Sequence, residues 1–342
     1  MTSPSYEVVR VKSNTPEWLK ARKSGIGASE TAVILGFKNS WATPWSIYRD
    51  KVTDEIKDQD ETNYQYWGHS LEEKVIQWMH EKEGFTVCQP VGMYRSLEWH
   101  WINATLDAQI VETDEDGNDF LVPLEIKNVD AWIKSEWETA PPDNYQVQLQ
   151  QQMLVTGAPF GYIAALFGGN DAKWWKLPAD PTFQRYLVEK THQFWEQHVQ
   201  AEVPPPATLQ DNMAQVYPGE KDTELEADDM LAGAWIELGQ WQAVVKEAEP
   251  HIEELVHEIQ EAMKGHAVLK YEGETLVTWN PRKGQSRMDR KALKRDHPAI
   301  EAEYSVEGSP TRVFQRKTAA QIDQRKEELV KLRQRQRGIK VK

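Results

Sequence analysis

The chain has 342 residues, a single cysteine (Cys88) and a formal charge of −14. That length can bury a substantial core in one large or two ordinary domains without disulfides, and a lone cysteine excludes both a disulfide framework and a multi-cysteine metal cluster. The charge is unevenly divided: residues 281–342 hold 18 Lys/Arg against 8 Asp/Glu, which leaves 22 against 46 for residues 1–280. An acidic body therefore carries a basic end, and any nucleic-acid partner has to be held by cations gathered in one channel. The opening MTSPSYEVVR lacks the apolar run of a signal peptide, and no stretch of about 18 apolar residues occurs. The expectation is a soluble, cytoplasmic protein with no membrane association.

Taken in chain order, TPEWLKAR predicts a short helix with Thr15 as N-cap and Pro16 in the first helical position, and TPWSIYRDKV repeats that start. Between them, SGIGASETAVILGF is a glycine-bearing turn entering an apolar helix; it has two of the three glycines of a dinucleotide fingerprint and no preceding strand, which rejects that reading. WGHSLEEKVIQWMHEKEG places Leu71, Val75, Trp78 and Met79 on one helical face and stops at Gly84. FTVCQP, NATLDAQIVE and DFLVPLEIK read as strands, the last two flanking the acidic turn TDEDGN. YQVQLQQQMLVTG predicts a helix ending at Gly157, followed by the strands GYIAALF and AKWWKL around GGND and a helix over about 181–201. The prolines at 204–206 cannot continue a helix and mark a boundary. Residues 224–264 predict a long helix or helical hairpin with Leu231, Trp235, Leu238, Trp241 and Val245 at heptad-like spacing, suited to packing on its own domain or a partner. A small mixed segment, AVLKYEGETLVTWN through TRVFQRK, and the basic end RKEELVKLRQRQRGIKVK follow; the latter either tracks a DNA backbone or is only a charged helix end and tail. The organisation is thus a domain over 1–203, a linker over 204–223 and an extension over 224–342.

The stretch LVPLEIKNVD carries the chemistry. If its hairpin turns about Asp116, Asp107 stands opposite Glu125, with β-carbons about 5 Å apart. The period of two puts Lys127 on the face of Glu125, and Val122, Leu124 and Ile126 on the other; on the first strand Thr105, Asp107 and Gln109 share a face, backed by Leu106, Ala108 and Ile110. Two close carboxylates repel unless a cation sits between them, and hard oxygen ligands on adjacent strands suit Mg²⁺. A neighbouring lysine can then accept a proton from an attacking water. The bland alternative for an isolated Glu-x-Lys is a solvated hairpin face with an ordinary ion pair.

Asp followed by Glu-x-Lys on the next strand resembles the PD-(D/E)xK nuclease pattern. Arg22 with GIGASE, then WGHSLEEKV, ATLDAQI, LEIK and YQVQLQQQMLVTG occur in the order and approximate spacing of the YqaJ-type viral recombinases, relatives of phage lambda exonuclease, over about residues 15–200. The resemblance implies an α/β (α+β) fold with a restriction-endonuclease-like core, a central mixed β-sheet flanked by helices, extended by a helical and small mixed C-terminal part. It implies Asp107 and Glu125 as metal-binding carboxylates, the Ile126 carbonyl as a backbone ligand and Lys127 as the base. Glu72 matches the family's helical acid, in preference to Glu73, and Gln148, three residues after Tyr145, the glutamine that supports the attacking water or the lysine. Arg22 and Ser29 match positions that hold the 5′-phosphate of a DNA end. Taken singly, Glu72 could be a surface carboxylate, Gln148 part of a polar helix face and Ser29 an N-cap.

The activity implied is Mg²⁺-dependent 5′-to-3′ degradation of double-stranded DNA ends, leaving 3′ overhangs for phage-type recombination in a bacterial host cell. Two Mg²⁺ ions would serve each site, with Mn²⁺ able to substitute, in a ring-shaped homotrimer accompanied by a single-strand annealing protein. Two rivals remain: a non-catalytic DNA-end-binding scaffold and a structure-specific or sequence-specific endonuclease on the same fold. One departure is Ala108, where the family usually has glycine. Alanine requires an ordinary φ, which implies a straighter strand beside Asp107. Of the 15 tryptophans, Trp41 or Trp45 could stack on a base.

Overall fold

A computed structural model describes residues 5–11, 15–37, 41–53, 62–219, 223–284, 288–305 and 325–336. The segment TRVFQRK and the tail beyond residue 336 lie outside the described residues. The chain divides into two compact units, Met1–Tyr217 and Pro218–Lys342. The division falls within the proline-containing stretch 204–223. Pro205 is buried and Asp211 accepts a hydrogen bond from Thr43 Oγ1 at 2.5 Å, so the prolines stay with the first unit.

The first unit is a mixed α/β structure with two sheets. Helix α1 (Pro16–Lys23) starts as its Thr-Pro signal predicts, with the Thr15 side chain accepting from Trp18 N, and α3 (Pro44–Val52) does the same through Thr43 and Ser46 N. One sheet of four strands runs β1 (Tyr6–Val9), β4 (Met93–Ser96), β5 (Ile102–Ala104), β2 (Ile26–Gly27). The central sheet of five runs β3 (Thr86–Cys88), β6 (Ala108–Thr113), β7 (Asp119–Val129), β8 (Phe160–Phe167), β9 (Asp171–Pro178). It is mixed because β7 and β8 are parallel while its other neighbours are antiparallel. A parallel pair needs a crossover, here a 3₁₀ turn over Ala131–Trp137 and α5 (Asp143–Thr156), which ends at Gly157 with φ 73° as the sequence signals.

NATLDAQIVE is not the single strand expected. Its first residues pair in the four-stranded sheet as β5 and its last in the central sheet as β6, and Thr105–Asp107 bridge the two. The chain switches sheets at the position where Asp107 is needed. Among the core residues are Val122, Leu124 and Ile126, clustered with Val75 and Met79 of α4 (Asn63–Glu81). Burying each such side chain stabilises by about 1.5–3 kcal/mol. α5 presses closely on β8: a β-carbon at Gly161 would come within 2.8 Å of Leu149 Cδ1 and 3.0 Å of Pro123 Cγ, so this glycine sets how near the helix can lie. α6 (Pro181–Phe194) continues as a π-helical turn to Gln200.

The second unit contains α8 (Asp229–Met263), one unbroken helix of 35 residues with Pro250 inside it. The hairpin β10 (Val268–Tyr271)–β11 (Glu274–Thr278) follows. Two short helices, α9 (Arg290–Asp296) and α10 (Pro298–Glu303), come next, and α11 (Lys326–Gln336) packs on the first turns of α8. A further four-residue helix, α7 (Met213–Val216), belongs to the first unit.

Candidate active site

The register of the β6–β7 hairpin is the one predicted: Thr113 pairs with Asp119, Ile110 with Val122 and Ala108 with Leu124. One step further puts Asp107 opposite Glu125, just where β6 leaves the sheet. In an extended strand the N–H and C=O of one residue point to the same side. Ile126 therefore aims both groups at the place β6 has vacated, and its N–H donates to Asp107 Oδ2 at 2.7 Å. The Asp107 side chain thus takes the place of a missing ladder partner, and this bond fixes its orientation. Ala108 continues the strand fully buried.

Glu125 is 0% exposed, which removes the solvated-hairpin reading. At Glu125 the face it shares with Lys127 is covered by α5. Glu125 Oε1 accepts from Gln148 Nε2 at 2.6 Å and from Lys127 Nζ, and Oε2 accepts from Gln152 Nε2 at 2.5 Å. A carboxylate left without donors at this depth would be costly, so these three contacts are what allow it to be charged there. Gln152 Nε2 also reaches Thr105 O at 3.2 Å, tying α5 to the link between the two sheets. Gln151 on the next side of the helix donates to Ile26 O and Asn103 O and accepts from Thr31 Oγ1.

Burial and the charge of Glu125 push the Asp107 carboxyl well above the usual carboxylate range, although Lys127 and the Ile126 N–H oppose this. Burial also lifts Glu72, with Glu125 adding to it and His69 and Lys127 opposing. Burial would lower Lys127, but Glu125 and Asp107 outweigh it and hold the ammonium above its ordinary value. Its Nζ lies 5.3 Å from the centre of the Tyr145 ring. In this arrangement Lys127 is a protonated counter-ion of Glu125.

All of the predicted side chains line one cleft of about 690 Å³: Asp107, Glu125, Lys127 and Gln148, Glu72 from α4, and Arg22 and Ser29. Glu73 is exposed. Ser29 is not an N-cap; Gly27 is, and Ser29 lies in the first turn of α2 (Ala28–Ile34). Arg22 stacks 4.7 Å above the Trp18 ring and approaches Glu30 at 3.5 Å. Glu30 is itself buried, bonded to Gly27 N at 2.7 Å and to Lys51 Nζ at 2.8 Å. Trp45 is buried and Trp41 exposed, and neither lines the cleft.

Sequence reasoning missed Gln152 and the cleft residues Arg10 and Gly92. Gln152 had a signal: it lies four residues after Gln148 and so shares a helical face with it.

Among the described residues no three of His, Cys, Asp or Glu form a ready-made metal cage. The donors lining the cleft are the hard oxygens of Asp107 and Glu125; Ile126, whose N–H holds Asp107, is not itself among the lining residues. That set fits a cation that keeps most of its water and takes few protein ligands, and does not fit a closed zinc cage.

Residues 17–159 match a family model described as YqaJ-like viral recombinase domain. This segment resembles that family. It contains every cleft residue predicted from the sequence. The homology runs on into the second unit: the uncharacterized protein YqaJ of Bacillus subtilis (strain 168) is 29% identical over 314 residues, spanning 88% of this chain and 94% of that protein. Similar solved structures include an alkaline exonuclease (LHK-Exo) from Laribacter hongkongensis, with 19% identity, a TM-score of 0.45 and coverage of 55% of this chain and 94% of that one. Another is a phage-related exonuclease from Haemophilus somnus 129PT, with 14% identity, a TM-score of 0.37 and coverage of 52% and 96%. Among the described residues no helix is long and apolar enough to cross a membrane.

Proposed function

We propose that the YqaJ-like domain is a divalent-cation-dependent deoxyribonuclease that degrades double-stranded DNA from its ends. The observation that carries this reading is the buried Glu125 facing the half-buried Asp107 at the cleft, with Lys127 and Gln148 bonded to Glu125. Asp107, Glu125 and the Ile126 carbonyl would hold Mg²⁺, two ions per site by the family resemblance, with Mn²⁺ able to replace it. When bound, such a cation orients a phosphate, lowers the pKa of a coordinated water and balances charge on a leaving oxygen.

The chain's own residues do the rest. The Gln148 and Gln152 amides fix both oxygens of Glu125, so the carboxylate cannot rotate away from the cleft. The Ile126 N–H does the same for Asp107. Lys127 sits where it can exchange a proton with a water beside the scissile phosphate once another cation relieves its bond to Glu125. Glu72 adds a third carboxyl at the cleft edge. In the same cleft, Arg22, braced by Trp18 and Glu30, and the Ser29 hydroxyl would hold a terminal 5′-phosphate, which would set the 5′-to-3′ direction and leave 3′ overhangs for recombination. A homotrimeric ring around DNA and a single-strand annealing protein as partner, acting in a host cytoplasm, complete the proposal.

The test is to incubate 5′-end-labelled linear duplex and closed circular duplex with the protein and Mg²⁺. Release of label from linear DNA alone, abolished by EDTA and restored by Mn²⁺, is the expected result. Cutting of the closed circle would favour the endonuclease reading, and binding without cleavage the scaffold reading. Sedimentation at several concentrations checks the trimer.

A further inference from the structure

The second unit presents a seam that lies largely open among its described residues. Written as heptads from Leu231, α8 has Leu231, Leu238, Val245, Ile252 and Ile259 at the a positions. Its d positions are Ala234, Trp241, Ala248, Leu255 and Ala262. All ten are apolar over five successive heptads, the pattern of a coiled-coil strand and more than a single folded domain requires of an outer helix. At about 1.5 Å per residue the helix is about 52 Å long. Yet most of the larger of these side chains are open: Leu231 is 50% exposed, Trp241 64%, Val245 57%, Ile252 59% and Leu255 60%, while Leu238 is half-buried.

α11 does not fill this seam. It lies on the other side of the first turns of α8, where Leu329 O would be 2.9 Å from a β-carbon at Gly233, Ile236 is buried and Arg333 Nε meets Glu237 at 3.0 Å. Its eleven residues also reach along less than half of α8. Pro250, which lacks an N–H to continue the ladder, falls at an f position, on the outer side away from the seam. The disturbance is thereby kept off the apolar line.

The flanking charges select the occupant. α8 carries eight Asp/Glu against one lysine, and the e and g positions beside the seam include Glu237, Glu249 and Glu258 but no Lys or Arg. A second copy would bring the same acidic flanks into contact with these. A helix with Lys or Arg at its own e and g positions would complement them, as Arg333 of α11 already does for Glu237.

We propose that the a/d seam of α8 is a docking surface for an amphipathic helix of another protein, apolar at its heptad core and basic on its flanks. The test uses the full chain and three fluorescently labelled synthetic 35-residue peptides. The first has Ile at a, Leu at d and Lys at e and g; the second replaces those lysines with Glu; the third has the residues of the first in scrambled order. Fluorescence anisotropy should show the first binding at least tenfold more tightly than either of the others, with affinity falling as salt rises. Val245→Asp combined with Leu255→Asp should weaken it at least tenfold, with helical circular dichroism retained. Equal binding of the acidic or scrambled peptide, or no binding of any, overturns the proposal. So does sedimentation in which the double substitution lowers the mass of the assembly, because the seam would then belong to a second copy.

Discussion

Glu125 and Glu249 are the same side chain in opposite circumstances. Glu125 is 0% exposed and its oxygens are shared among Lys127, Gln148 and Gln152, whereas Glu249 stands in water on α8 beside the exposed Val245. Val122 and Val245 make the same contrast for apolar groups, at 0% and 57% exposure. At Glu125 and Val122 the first unit has removed charge and hydrocarbon from solvent, and the charge is matched there by three donors. The second unit has left both outside. Substitutions in the first should therefore act on folding and chemistry together, and substitutions on α8 should act on what the helix binds.

The largest stability effect expected is at Glu125. Glu125→Ala leaves Lys127 charged at depth and removes the acceptor of two glutamines, so a loss of about 3–5 kcal/mol is predicted in urea unfolding. Glu30→Gln comes next, at about 3 kcal/mol, because it strips Lys51 of its buried partner. This site also predicts a pH dependence. Burial pushes the Glu30 carboxyl up, but Lys51, Arg22 and its hydrogen bonds outweigh burial and hold it below the ordinary 4.5. As pH falls, the unfolded chain binds that proton first; the stability Glu30 supplies is complete above its unfolded value and lost as pH falls through its folded one. The gap in stability between wild type and Glu30→Gln should accordingly shrink below about pH 4.5, measured by thermal melting across pH.

Gln152→Leu should cost about 1–3 kcal/mol, since it leaves Glu125 Oε2 without its donor, and should lower nuclease activity as well. At the bottom of the scale, Val245→Asp should change unfolding of the chain by no more than about 0.5 kcal/mol. A large destabilisation there would mean that the seam is already covered within the molecule, and the contrast between the units would fail.

Much of the first unit was legible in the sequence because local signals and the hydrophobic period agreed. The Thr-Pro starts at Thr15 and Thr43, the Gly157 stop and the hairpin centred on Asp116 all reappear in the structure. The hairpin register alone brought Asp107 to Glu125. What period-two reading could not show is that β5 and β6 belong to different sheets, because the break at Thr105–Asp107 changes neither the apolar spacing nor the turn residues. Nor could it show that the Glu125 face is roofed by α5, since a glutamine-rich helix reads as solvent-facing until the buried carboxylate it serves is in place. On α8 the heptad spacing was legible, but the choice between a single helix and a hairpin was not, because Pro250 is compatible with a break until its position away from the seam is known.

The central claim is that Asp107, Glu125 and Lys127 form a nuclease centre and not a structural ion-pair cluster. Its most direct test is the single-turnover cleavage of linear duplex DNA by Lys127→Ala protein, with circular dichroism confirming that the protein is folded at the assay temperature. The account predicts a fall of about 10²–10⁴-fold in rate with Mg²⁺ present. Cleavage by folded Lys127→Ala protein at the wild-type rate would contradict it.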